Sequence, residues 1–458
     1  MQHPKVVVIG AGSLFFGRQA IWQMTKSEHL NGGTLTLVDT EPAHLARMTA
    51  LAKKAVEHSK VKLAIESSTN RRDVLADADF VVLSFADQSV KYRGIDCRIA
   101  LKYGIRMCSG DTIGPGGIMR TLREFPVILE CCKDIEELCP NAWVINYINP
   151  TAANGVGLRI FAPKLKSFAL CDGLHMPHVK KYYAMRAGII EKIEDFNDQI
   201  DRDFDMQVAG PNHFTWLVKA QYKGQDVTER IAETVSLRGQ KEVEGGDVGA
   251  KALHNDRITY ALFKAFGVLP MCTAHTKEYV RFWQGLGKLE EKISPLSIWE
   301  TGDRYLRHFD MWNEVDGYNY GVKTMDEFYA AHKPDHATDI IEAIVGNTGK
   351  PFYVNTTNNG AVSNTPDDCF MELLCDVSAN AIMPRRIDPM PVGVRGLCQQ
   401  VLDTHELTAR AAATGDRDML YHAFCIDPLS NSLADSRAMI EDFLQAQKPV
   451  LPDYWFKS

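Results

Sequence analysis

The chain has 458 residues, more than one ordinary core accommodates, so two packed lobes are expected. Hydrophobic residues make up 45%, charged residues 24%, and the formal net charge is −7. With no Lys/Arg-rich run interleaved with aromatics, that balance excludes nucleic acid from the expected partners. No apolar run reaches the ~18 residues of a membrane span. Met1-Gln2-His3-Pro4-Lys5 passes straight into strand-like residues without a secretory leader, and the 11 cysteines read as reduced thiols. The expected compartment is the cytoplasm.

Residues 6–9 read as an apolar strand, followed at once by glycines and a helix over 14–25. A strand over 34–38 ends at Asp39, and 41–58 reads as a helix. Residues 79–85 and 142–147 are continuous apolar runs suited to buried parallel strands, with a helix over 126–138 between them. A further strand over 166–170 puts Cys171 at its carboxyl end. Strands alternating with helices predict an α/β fold, a Rossmann-type doubly wound parallel sheet occupying residues 1–180. Residues 181–458 read as a second, α+β lobe. Within it, 237–256 and 352–361 read as loops, and 406–414 and 436–447 as helices.

Gly10-Ala11-Gly12-Ser13-Leu14 joins the first strand to the first helix. Glycines there permit a tight turn and bring backbone N–H groups against a pyrophosphate at the helix N-terminus. The third glycine of the usual fingerprint is absent, with Phe15 in its place. Asp39 ends the second strand where a carboxylate can bind both ribose hydroxyls and would repel a 2′-phosphate, so the expected cofactor is NAD.

Four more stretches carry chemistry-bearing side chains: Asp111-Thr-Ile-Gly-Pro-Gly-Gly117 ahead of Ile118-Met-Arg120, Asn146-Tyr-Ile-Asn149-Pro150, Cys171-Asp172, and Gly210-Pro-Asn212-His213. Singly, each has a plain structural explanation as a turn, a strand terminator, a buried thiol or a core imidazole. Together, Cys171 and His213 offer a thiolate and an imidazole to a borderline divalent metal. Arg120 and Arg123 stand one turn apart, facing either a charged substrate group or a structural partner. Cys131, Cys132 and Cys139 lie along a helix in directions that cannot share a face, so they are expected in the core.

In order and spacing, the glycine turn, Asp39, Asp111-Thr-Ile-Gly-Pro-Gly-Gly-Ile-Met-Arg, Asn-Tyr-Ile-Asn-Pro, Cys171-Asp172 and Ala-Gly-Pro-Asn-His resemble glycoside hydrolase family 4, from residue 5 to about 290. The resemblance implies NAD and a divalent metal, usually Mn2+, held by Cys171 and His213. It implies hydrolysis by oxidation at sugar C3, loss of the C2 proton, elimination, water addition and re-reduction. Asp172 is then the expected acid and Tyr260 the expected C2 base, with Asn149, Asn212 and Arg120 as substrate contacts. Homodimers or homotetramers acting on a small-molecule glycoside are implied as well. The Asp-Thr-Ile-Gly-Pro-Gly-Gly wording is similar to members acting on unphosphorylated α-galactosides or α-hexuronides, whereas Cys-Asp is similar to 6-phospho-α-glucosidases. An unphosphorylated α-hexoside or α-hexuronide is the expected substrate, with a 6-phospho-α-glucoside as the alternative. A different class, an NAD-dependent 2-hydroxyacid dehydrogenase, would share the sheet but use a His–Asp pair and a carboxylate-binding Arg. A non-catalytic sensor of NAD or sugar would bind without turnover.

Overall fold

A computed structural model of the chain describes residues 2–86, 88–107, 109–244, 256–272, 275–286 and 301–457. The side chain of Asp172 lies outside that description, as does the 245–255 part of the expected 237–256 loop. The first half is β1 (Lys5–Ile9), α1 (Phe16–Met24), β2 (Thr34–Val38), α2 (Pro42–Ser59), β3 (Ala64–Ser68), β4 (Phe80–Leu83), α3 (Ser89–Lys102), α4 (Gly114–Leu138), β5 (Trp143–Asn146), α5 (Thr151–Phe161) and β6 (Lys166–Ala169). These six strands are parallel in the order β3-β2-β1-β4-β5-β6, the doubly wound dinucleotide-binding order.

The apolar runs become central strands because both faces of the sheet are covered. Val6 and Val8 enter one core while Val7 and Ile9 enter the other, and Phe80 and Val82 alternate with Val81 and Leu83 in the same way. Each such side chain, fully removed from water, contributes ~1.5–3 kcal/mol. α2 shows how the covering helices are specified. Glu41 caps it by accepting from Ala43 N–H, Pro42 opens it, and Leu45, Met48, Leu51, Ala52 and Ala55 form one buried stripe.

The second half contributes α6 (His178–Arg186), α7 (Asp198–Asp203), β7 (Phe204–Ala209), β8 (Trp216–Tyr222), β9 (Gln225–Asp226), α8 (Thr228–Glu244), α9 (Asp256–Phe266), β10 (Leu269–Pro270), α10 (Thr301–Asn319), α11 (Met325–Ala331), α12 (His336–Val345), β11 (Pro351–Thr357), β12 (Phe370–Val377), β13 (Ile382–Pro384), α13 (Val392–Thr414), α14 (Arg417–Ile426) and α15 (Leu433–Gln447). Among the described residues, β7, β8, β9 and β10 make a small antiparallel sheet. β11, β12 and β13 extend the large sheet antiparallel from β6, giving nine strands there.

Three expectations change. The helix expected from 126 begins at Gly114, with Pro126 inside it. Residues up to Glu244, expected in a loop, continue α8. Residues 352–357, also expected in a loop, belong to β11, because Phe352, Tyr353 and Val354 pack into the core between β6 and β12. Cys131, Cys132 and Cys139 are core thiols, and burial pushes them up to about 11, 12 and 11. Among the described residues no helix is long and apolar enough to cross a membrane.

Candidate active site

The carboxyl edge of the large sheet carries two groups of side chains. At one end, Gly10 takes φ +89°, and its N–H and that of Ala11 both donate to Val38 O, at 2.8 and 3.0 Å. A Cβ on Gly10 would sit 2.5 Å from Phe85 N, so no other residue fits. Ser13 N–H donates to Gly10 O at 3.0 Å and closes the turn. Gly12 N–H donates to Asp39 Oδ2 at 2.7 Å, while Glu41 N–H donates to Oδ1 at 3.0 Å, so the half-buried carboxylate is fixed against the glycine turn. Leu14 is buried, which leaves only its backbone to face a ligand. The glycine missing from position 15 is replaced in role by Gly17, where a Cβ would lie 2.3 Å from Ala11 O. α1 therefore packs directly on the turn.

At the other end, Cys171 follows β6, and His213 sits in the turn between β7 and β8. Although 42 residues apart in the chain, Cys171 Sγ lies 3.2 Å from each ring nitrogen of His213. Burial, and then the neighbouring His275, lower the His213 pKa well below its ordinary value, leaving a neutral imidazole. Its ring stacks on His275 at 4.4 Å, and Cys272 Sγ lies 3.7 Å from Nδ1. Tyr279 Oη accepts from His213 N–H at 2.8 Å and donates to Asn212 O at 2.7 Å, gripping the backbone on both sides of that peptide. Asn212 Nδ2 donates to Glu372 Oε2 at 3.1 Å. Burial raises the Glu372 carboxyl to about 7 despite that bond.

Between the two ends lies Asp111. Arg120 Nη1 is 2.9 Å and Arg93 Nη1 3.3 Å from Asp111 Oδ2, Asn149 Nδ2 is 3.4 Å from it, and Ser109 Oγ bonds Oδ1. Burial alone would raise this carboxyl, but Arg93, Arg120 and His275 outweigh it and hold it well below the usual range. Arg120 is thus buried on Asp111, and Arg123 is buried on Asp96 at 2.9 Å. Arg304 and Arg307 of α10 add positive charge on the same side. Burial first, then Arg93 and Arg307, depress the Arg304 pKa, and burial with Arg304, Arg307 and Arg93 depresses His308.

Asn149, Cys171, Asn212, His213 and Arg120 therefore share this edge with the Gly10–Asp39 turn. Tyr260 is half-buried on α9 and, among the described residues, makes no hydrogen bond or ring contact to the Cys171–His213 pair. Sequence reasoning assigned nothing to Asp111 itself, Arg93, Cys272, His275, Tyr279 or Glu372. Cys272, His275, Glu278 and Tyr279 fall within eight residues, and that density of functional side-chain types was the available signal.

The donor set suits a borderline divalent cation: a thiol and a neutral imidazole converge, and among the described residues no group of three or more His, Cys, Asp or Glu closes around a metal. Two protein donors would leave coordination positions for other oxygens. The glycine cradle and Asp39 suit a dinucleotide. Fold and site together define a dinucleotide-binding α/β protein with an open thiol–imidazole centre at its carboxyl edge.

The sequence profile "Family 4 glycosyl hydrolase" matches residues 5–182, and that of the family 4 C-terminal domain matches 208–430. The chain belongs to glycosyl hydrolase family 4. It is 30% identical to a probable 6-phospho-beta-glucosidase of Bacillus subtilis, covering 99% of this chain and 98% of that one. It is 28% identical to an alpha-galactosidase of the same organism, covering 98% and 99%. A 6-phospho-alpha-glucosidase from gut microorganisms, solved with NAD and Mn2+, superimposes with TM-score 0.79 at 20% identity, covering 98% of this chain and 99% of that one.

Proposed function

We propose that the protein hydrolyses an anionic α-hexoside, a hexuronide, with NAD and a divalent cation such as Mn2+ bound. Gly10 and Gly12 would admit the pyrophosphate to the N–H groups at the start of α1, and Asp39 would accept from the ribose hydroxyls. Cys171 and His213 would hold the cation. When bound, NAD supplies a hydride acceptor for one sugar carbon and the cation a Lewis acid for the sugar oxygens. The chain's own groups do the rest. Tyr260 takes the proton from C2, Asp172 protonates the leaving oxygen, and Asn149 and Asn212 orient hydroxyls. Arg120 acts on the substrate only through Asp111, whose carboxylate it holds. Because bound NAD would serve as both acceptor and donor of the same hydride, the net reaction would be hydrolysis.

The observation that carries this reading is the 3.2 Å approach of Cys171 Sγ to both His213 nitrogens, beyond the end of β6 on the sheet that also carries the glycine turn. His308, its pKa lowered by burial and by the neighbouring arginines, adds a neutral donor and no charge, whereas Arg93, Arg304 and Arg307, gathered on one side of Asp111, favour a sugar carrying a carboxylate. That same charge makes a 6-phosphoglycoside the second reading. The deciding experiment is a panel of aryl α-galacturonide, α-galactoside and 6-phosphoglucosides, assayed with NAD and Mn2+. Turnover of the uronide without net NADH, with deuterium from solvent at C2, is expected. Steady NADH accumulation with a 2-hydroxy acid and no glycoside turnover would sink the proposal.

A further inference from the structure

We propose that His336 is a positioning residue for the metal-binding thiol: its ring fixes the peptide that follows Cys171 and thereby the aim of the sulfur. The proposal rests on Cys171 being a metal ligand.

His336 is the first residue of α12 and is fully buried. Its Nδ1 lies 3.1 Å from the carbonyl oxygen of Cys171. A carbonyl can only accept, so Nδ1 carries the proton and the tautomer is set. The bonded carbonyl belongs to the peptide joining Cys171 to Asp172. Rotating that peptide would also move the backbone leading to Gly173, whose N–H donates to Cys171 Sγ at 3.4 Å. One imidazole therefore governs both the orientation of the sulfur and the start of the residue proposed as the acid. Among the described residues no strand pairing beyond β6 reaches Cys171, so this bond adds an anchor to those of the sheet.

The ring is itself immobilised. It stacks on His175 at 4.6 Å and 20°, and His175 Nε2 bonds Asp339 Oδ2, one turn along α12, at 2.8 Å. The start of α12 is tied to the nucleotide half. Ala337 N–H donates to Tyr147 Oη at 2.8 Å, just past β5. Gln23 of α1 accepts from Asp335 N–H and donates to Asp339. His336 is thus held by elements that do not depend on the metal. Partners of this kind, one bond behind the ligand, typically change metal affinity or activity by about 10- to 100-fold.

The test titrates Co2+ into the full-length protein and reads the thiolate-to-cobalt charge-transfer absorption, with NAD affinity and melting temperature measured in parallel. His336→Leu removes the bond at similar bulk. His336→Asn keeps an N–H donor at the Nδ1 position. The expected result is Co2+ affinity lowered by about 10- to 100-fold and a weakened band in His336→Leu, recovery to within about threefold in His336→Asn, and NAD affinity unchanged in both. Equal affinity and band in His336→Leu and wild type would overturn the proposal. So would losses in His336→Asn as large as in His336→Leu, because the ring would then matter only as packing. Absence of the charge-transfer band in the wild-type protein would instead overturn the assignment of Cys171 as a ligand.

Discussion

Gly17→Ala separates two opposed physical effects at the nucleotide end. On propensity alone, alanine in α1 should stabilise the helix by ~1 kcal/mol over glycine. In the structure, however, the new Cβ would lie 2.3 Å from Ala11 O and 3.0 Å from Ala11 C, so the nearest contact falls about 1.1 Å short of ordinary separation. The obstacle is backbone within the glycine turn and cannot rotate away. Overpacking of this kind costs ~1–3 kcal/mol, and a rigid neighbour places it at the upper end. The net expectation is a loss of ~2 kcal/mol, roughly 30-fold in the folded-to-unfolded ratio. Relief requires α1 to slide by about 1 Å, which moves the N–H groups that meet the pyrophosphate. NAD affinity should fall by about 10- to 100-fold, as for other misplacements of that size. Thermal melts with and without NAD, together with a fluorescence titration of NAD, measure both quantities. A variant that melts higher than wild type and binds NAD equally well would refute the steric argument.

Cys171→Ser should weaken Mn2+ binding by more than about tenfold, ~1.4 kcal/mol, while leaving NAD affinity in place. An unchanged metal requirement would remove the thiol from the coordination set. Asp172→Asn should slow glycosides with poor leaving groups by ~10²–10⁴ and nitrophenyl glycosides far less, in a comparison of kcat/KM across leaving groups. Arg304→Gln should raise KM for an anionic glycoside and leave a neutral one unchanged; equal effects on both would separate α10 from substrate charge. Asp427 gives a pH prediction. Burial raises its carboxyl to about 7, partly offset by N–H donation from Leu429 at 2.9 Å and Gly114 at 3.0 Å. The unfolded carboxyl titrates near 3.9, so between about pH 4 and 7 the folded state holds a proton that the unfolded state has lost. Stability should therefore decline with rising pH across that window, by a few kcal/mol at most, roughly 1.4 kcal/mol per unit. Asp427→Asn should flatten the decline, and melts from pH 5 to 8 that keep the same slope in wild type and variant would count against it.

Five of the six parallel strands were legible as short, largely apolar runs buried on both faces, whereas β3, with Glu66, Ser67 and Ser68 and little burial, was not. β2 lies where the pattern put it, and β1, β5 and β6 differ by a residue or so. β11 was not legible. Asn355, Thr356 and Thr357 suggest a loop, and the strand arises from pairing with partners remote in sequence, Ala169 and Glu372 on either side of Asn355. The start of α4 was hidden for a different reason, since a glycine-proline run announces a turn. Here Gly116 and Gly117 serve close packing, each Cβ position lying under 3.0 Å from the backbone of the preceding loop. At the site, the ends of strands announced Asp39, Asn149 and Cys171. Tyr279 and Glu372 act on His213 and Asn212 from elements remote in sequence, and no local pattern encodes such a contact.

The unusual antiparallel extension of the sheet has a use in the site. Asn355 of β11 stands in register with Ala169, two residues before Cys171, and with Glu372 of β12. Glu372 donates its N–H to Gly210 O at 2.9 Å and accepts from Asn212 Nδ2 at 3.1 Å, so it holds both ends of the turn leading to His213. The thiol and the imidazole come from different sheets, yet both are referred to the same row of residues across the large one. A His–Asp pair of the sort a hydroxyacid dehydrogenase needs is present in His175 and Asp339, but His175 is buried against His336 and the pair ties down the start of α12. The group presented at the open edge is the thiol–imidazole pair, which suits a cation and not proton relay from an alcohol alone. The extension therefore ties the thiol and the imidazole to one row of residues on the sheet that also carries the glycine turn.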